Sequence, residues 1–147
     1  DTEQIFPDDY RFVLGKVDLL LQGDDLAIIS TGTLTATALK AARRMEAQGI
    51  KAAVINVSTI KPLDKNDLLK AIGGNRRVIT IEEHSIYGGL GSTVAEILIQ
   101  EKAGYHLKIM GIRDLFGQSG ESHQELLNHY QLTEEDLITA ATALLSD

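Results

Sequence analysis

The sequence has 147 residues, the length of one ordinary domain, and its 44% hydrophobic and 24% charged residues form a globular mix that excludes a disordered or fibrous chain. It has no cysteine, which excludes disulfides, thiolate nucleophiles, thiolate zinc sites and iron–sulfur clusters and sets a reducing compartment, the cytoplasm, as the expectation. A formal net charge of −7 has the wrong sign for a nucleic-acid binder, and no apolar run approaches the roughly 18–20 residues that span a bilayer, so neither nucleic acid nor membrane is an expected partner.

Asp1 to Tyr10, with Pro7 flanked by Asp8 and Asp9, has no hydrophobic period. Residues 1–10 are expected to be an interdomain linker and residues 11–147 one domain. The first residue is Asp1 and not methionine, as expected of a processed chain or a piece of a longer one. Phe12 to Leu21 is predicted to hold a strand ended by the Gly23-Asp24-Asp25 turn, and Leu26 to Ser30 is a continuous apolar run of the kind that forms a strand covered on both faces. Two strands so close in sequence are expected to pair antiparallel.

After Gly32, apolar residues at Leu34, Ala38, Ala41, Ala42 and Met45 mark one face of a helix stopped near Gly49. Ala53 to Val57 is the next buried strand, and Pro62-Leu63-Asp64 supplies a break and an N-cap for a helix carrying Leu68, Leu69 and Ile72. Val78 to Ile81 is a further strand, followed by the glycine-rich stretch Gly88 to Gly91 and a helix through Val94, Ile97 and Leu98 running to about Gly104. Leu107 to Ile112 reads as a strand and Gln124 to His129 as a short helix, after which Thr133 caps a final helix bearing Leu137, Ala141, Leu144 and Leu145. This alternation predicts an α/β fold: a three-layer α/β/α sandwich around a mostly parallel sheet of about five strands, with Phe12–Leu21 as one antiparallel edge strand.

In open parallel sheets ligands bind beyond the carboxyl ends of the strands. Here those ends read Ser30-Thr31-Gly32-Thr33, Ser58-Thr59-Ile60-Lys61, Glu82-Glu83-His84-Ser85 and Arg113-Asp114. Hydroxyls, a lysine, carboxyl groups and a histidine are the makings of a small-anion or effector site, and Thr31, Gly32, Thr33, Ser58, Thr59, Lys61, Glu82 and His84 are its candidate residues. The structural alternative is that the hydroxyls cap helices and the charges pair at the sheet rim. Gly88-Gly89-Leu90-Gly91-Ser92 opens a helix as a phosphate loop would, yet Val94 stands where a dinucleotide fingerprint needs its third glycine, and no Walker lysine follows. Glu82, Glu83 and His84 alternate faces of one strand and cannot all converge without a bend. His123 and His129 do not share a helical face, and Ser119 and Ser122 resemble no nucleophile elbow, so no catalytic and no metal-ligating residues are assigned.

Taken together, Phe12-Val13-Leu14-Gly15-Lys16, Ile28-Ile29-Ser30-Thr31-Gly32, Val57 to Asp64, Thr80 to His84, Gly88 to Ser92 and Gly111-Ile112-Arg113-Asp114 resemble, in this order, the C-terminal domain of transketolase-like thiamine diphosphate enzymes. The resemblance runs from about Tyr10 to Leu145. Glu82-Glu83-His84 with its glycines is more similar to transketolase and deoxyxylulose phosphate synthase than to the 2-oxoacid dehydrogenase β subunits. Leu115 to Gly120, with Leu126-Leu127 and Tyr130 to Thr133, resembles most the C-terminal subunit of split, two-chain transketolases.

What the resemblance implies is a domain of an enzyme that moves two-carbon ketol units between sugar phosphates. The thiamine diphosphate and magnesium of that enzyme are carried by its diphosphate- and pyrimidine-binding domains, the expected partners of this chain. Gly23-Asp24-Asp25 breaks the Gly-Asp-Gly metal motif of the first of these. The expectation is therefore a packing and homodimer-interface domain, open to a regulatory role, that alone binds no thiamine diphosphate and is inactive. The alternatives are the C-terminal domain of a deoxyxylulose phosphate synthase-like enzyme and a free-standing small-anion binding module.

Overall fold

Period-two alternation in the strands sorts the apolar side chains onto two faces of one sheet. In the computed structural model, which describes residues 4–113 and 122–146, Leu26 and Ile28 enter one core while Ala27 and Ile29 enter the other. The elements are β1 (Val17–Leu21), β2 (Leu26–Ser30), α1 (Leu34–Glu46), β3 (Ala52–Val57), α2 (Lys65–Ile72), β4 (Arg77–Ser85), α3 (Leu90–Leu98), β5 (His106–Ile112), α4 (His123–Tyr130) and α5 (Glu134–Ser146). Helices α1, α4 and α5 contribute Ala38, Leu127 and Leu137 to the first core, and α2 and α3 contribute Leu68 and Val94 to the second. This is the three-layer α/β/α sandwich expected.

The sheet order is β1-β3-β2-β4-β5, with β1 antiparallel to β3 and every other pair parallel. Strand β1 is thus the antiparallel edge, but its partner is β3 and not β2, contrary to the expectation from proximity. The reason is that β2, buried at all five positions, already has parallel neighbours on both sides, which leaves the outer edge of β3 for β1. The connection from β1 to β2 therefore crosses over the start of β3. A Cβ added at Gly23 would lie 2.4 Å from the carbonyl carbon of Ala52, so only glycine lets the backbones touch there. Asp25 fixes the crossing by accepting the Lys51 N–H through Oδ2 at 2.7 Å, and the Asn75 side-chain amide donates to the Gly23 carbonyl at 3.0 Å.

Two boundaries also differ from expectation. Strand β1 starts only at Val17, because Gly15 at φ +82° turns the chain and leaves Phe12 to Leu14 outside the sheet. Helix α3 stops at Leu98, well short of Gly104. Asp1 to Glu3, Asp114 and the Leu115–Gly120 string with Ser119 lie outside the described residues, whereas Ser122 is the N-cap of α4, accepting the Glu125 N–H at 3.2 Å. No helix among the described residues is long and apolar enough to cross a membrane.

Candidate functional site

The carboxyl ends of the parallel strands gather the polar residues that the sequence singled out, and adjacent residues of β4 separate them by face. Glu82 turns toward α3, where it is 1% exposed and accepts the N–H of Leu90 at 2.8 Å and of Gly91 at 2.9 Å. The α3 N-cap is Gly89, which has no side chain to cap with, so the cap comes from the neighbouring strand. Here an internal carboxyl group fills the place that an anion would take at a helix N-terminus.

Glu83 turns to the opposite face. Its Oε2 accepts the Thr33 hydroxyl at 3.0 Å and meets His123 Nε2 at 2.8 Å, joining the N-cap of α1, the end of β4 and the first residue of α4. His84 remains exposed, with Nδ1 3.1 Å from the Ser85 carbonyl oxygen. The structure therefore brings Thr33 and Glu83 together, places Glu82 on the far side of the sheet, and adds His123, which lies forty positions from Glu83 and has no local motif to betray it.

The hydroxyls on the β2 and β3 side belong to a network that ties strand ends together. Thr31 donates to the Val57 carbonyl at 2.7 Å. Beneath α1, Ser30 Oγ bonds Thr35 Oγ1 at 3.1 Å, Thr35 donates to Asn56 Oδ1 at 3.0 Å, and the Asn56 amide donates to Ser58 Oγ at 2.8 Å and Asp18 Oδ2 at 3.1 Å. The Tyr10 hydroxyl closes the line on Asp18 at 3.0 Å. Loss of solvent, followed by the hydrogen bond and negative charge of Asp18, raises the Tyr10 pKa above the usual tyrosine value. Asn56, Thr35, Asp18 and Tyr10 were missed in the sequence, where the available signal was a polar residue inside a strand buried on both faces.

Thr59 is half-buried, and Lys61 and Gly32 are exposed, with Gly32 at φ +62° over open space. Two grooves include none of the eight candidate residues in their lining. One of about 680 Å³ lies at the opposite end of the sheet, among Gly23, Lys51, Lys70 and Asn75, and one of about 450 Å³ runs along β5 and α5. As seats for a diphosphate these residues fit poorly. The α3 amides already serve Glu82, Asp25 serves the Lys51 amide, and among the described residues no group of three or more His, Asp or Glu gathers.

These features define a mostly parallel α/β domain with an antiparallel edge, in which Thr31, Thr33, Glu82 and Glu83 at the strand ends hold its own loops and helix termini. Residues 15–137 match the family described as "Transketolase, C-terminal domain". A putative transketolase C-terminal section of Methanocaldococcus jannaschii is 39% identical over 139 residues, 93% of this chain and 43% of the relative. One of the subunits of the apulose-4-phosphate transketolase of Phocaeicola vulgatus is 41% identical over 91% of this chain and 42% of its own length. Among solved structures, a split gene transketolase described as an inactive β4 tetramer superposes with a TM-score of 0.90 at 38% identity, over 99% of this chain and 47% of that one. The chain belongs to the transketolase C-terminal domain family, and it spans less than half the length of these relatives.

Proposed function

We propose that this chain is the C-terminal part of a transketolase that transfers two-carbon ketol units between sugar phosphates, working with a thiamine-binding part elsewhere in the enzyme. The observation that carries the reading is the family match over residues 15–137 in a chain that spans only 43% of the transketolase section it resembles. In this reading thiamine diphosphate and its magnesium are held by that other part, which is supported by Glu82 filling the glycine-rich start of α3. The domain's own contribution is packing against that part and against a second copy.

The test is a calorimetric titration of the 147-residue chain with thiamine diphosphate and magnesium, paired with a ketol-transfer assay before and after the thiamine-binding part is restored. The expected outcome is no saturable heat and no turnover from the chain alone, with turnover after reconstitution. Saturable cofactor binding by the chain alone would refute the division of labour.

A further inference from the structure

The sheet ends on its far side at β5, which has β4 as its only neighbour among the described residues. Its register with β4 runs without a break from His106 opposite Arg77 to Met110 opposite Ile81, whereas the register of the β1 edge is irregular between Leu19 and Leu21. A regular edge strand with one neighbour turns part of its backbone N–H and C=O groups outward, as a template for a further strand.

Beside this edge runs the groove of about 450 Å³ between β5 and α5. Met110, Leu132 and Leu144 give it apolar surface, and Ala140 and Ala143 keep the facing side of α5 low. Its free charges have one sign. Asp136 is engaged, accepting the Thr133 N–H at 3.0 Å and the Thr133 hydroxyl. Lys108 and Arg113 are exposed, and neither makes an ion pair among the described residues. In a chain of formal charge −7, this edge presents two cations that call for a negative partner.

Their spacing selects the shape of that partner. Five positions along an extended chain span about 16 Å, so a compact anion such as phosphate meets only one of the two cations. An extended peptide laid along β5 meets both, if its acidic residues stand about as far apart. A second copy of β5 is a poor occupant, because pairing across a two-fold axis would set Lys108 and Arg113 against the cations of their twin.

We propose that the β5 edge binds an extended acidic segment of a partner protein as a sixth strand, its backbone pairing along His106 to Met110, its apolar side chains in the β5–α5 groove and its carboxylates on Lys108 and Arg113. This site stands independently of the transketolase reading.

The experiment titrates the 147-residue chain into a fluorescent synthetic peptide, about eight residues of valine and threonine with a glutamate near each end, and follows anisotropy together with amide hydrogen exchange. The expected result is saturable binding that weakens as salt is added, with exchange at His106 to Met110 slowed by about tenfold or more. Lys108→Glu and Arg113→Glu should each weaken binding by about tenfold, and so should Ala143→Glu, which places a carboxylate in the groove from an exposed helix position. All three positions are exposed, so the melting temperature should hold, and any variant that melts early is judged by the other two. A peptide with lysines for the glutamates, or with prolines in its middle, should not bind. Equal binding of the proline peptide overturns strand addition in favour of charge alone. Displacement of the peptide by inorganic phosphate overturns it in favour of a compact-anion site. Protection of β5 that grows with chain concentration in the absence of peptide overturns it in favour of a second copy, and the lack of any saturable binding overturns the site itself.

Discussion

The Glu82 side chain accepts two α3 amides while 1% exposed, so alanine in its place would strand two buried donors at a helix start. At roughly 1–3 kcal/mol for each unsatisfied group, Glu82→Ala should cost about 3 kcal/mol in a urea unfolding series, and Glu82→Gln, which keeps one oxygen acceptor, should cost less. Gly89→Ala tests the same joint from the other side, because its added Cβ would sit 2.1 Å from Glu82 Oε2 and push the cap away. The two changes remove one interaction, so the double variant should be destabilised far less than the sum of the singles; strict additivity would show that Glu82 does not cap α3. A different cap carries a charge. Asp64 accepts the Asp67 N–H at 3.0 Å and lies 2.7 Å from Lys16 Nζ, and the Lys16 contact first, then the Asp67 amide, holds its carboxyl below the usual range. The unfolded chain takes up that proton near the ordinary value of about 3.9, the folded one only at lower pH, so this contribution is complete above about pH 4 and disappears as pH falls through the folded value. Asparagine caps as well but carries no charge, so Asp64→Asn should differ from the parent in stability at pH 6 and converge with it at the acid end of a pH series. The Asp64 cap was legible from Pro62-Leu63-Asp64, whereas Glu82 could be read only as one of two alternatives, because its partners are backbone amides eight and nine positions away.

The helices and buried strands follow from local pattern, because an apolar run or a period of 3.6 is a property of neighbouring residues. Which strand lies beside which is not. The pairing of β1 with β3 depends on β2 having both of its edges taken, and its sequence trace is the single Gly23 that permits the crossing, which also reads as an ordinary turn glycine. Gly23→Ala would force a methyl group into the Ala52 backbone, which no side-chain rotation can relieve, and should cost about 3 kcal/mol or more by the same unfolding measurement. A near-neutral result would mean that the crossing is loose. The polar line under α1 is similarly distributed: Ser30 and Asn56 come from two strands, Thr35 from a helix and Tyr10 from the lead-in. Removing its centre with Asn56→Ala leaves the Thr35 hydroxyl without its acceptor and should cost about 2 kcal/mol. If the line couples the lead-in to the domain, hydrogen exchange over residues 6–10 should rise as well. A stability loss with unchanged exchange there would confine the role of Asn56 to the core.

At the scale of the whole molecule, charge and the apolar edge act against each other. The formal charge of −7 at pH 7 keeps copies apart, while Phe12, Val13 and Leu14 in water favour association. That formal charge falls away as the solution nears the sequence isoelectric point of about 5.0. The family could be recognised from strings spread over the chain because those strings record strand ends and helix starts that the fold requires. The exposed edge could not, since Phe12-Val13-Leu14 in sequence looks like the beginning of a buried strand and reveals itself only once Gly15 turns the chain away from the sheet. Sedimentation of the 147-residue chain should therefore show a concentration-independent species at pH 8 and low salt, and a concentration-dependent shift to larger species as pH falls toward 5 or as salt screens the repulsion. Leu14→Ser should suppress that shift without altering the melting temperature, because it shortens the apolar group and leaves the core untouched. If the serine variant associates as readily as the parent, the apolar edge is not the contact, and the association must be traced to another face, such as the one around Ile99, which is 84% exposed.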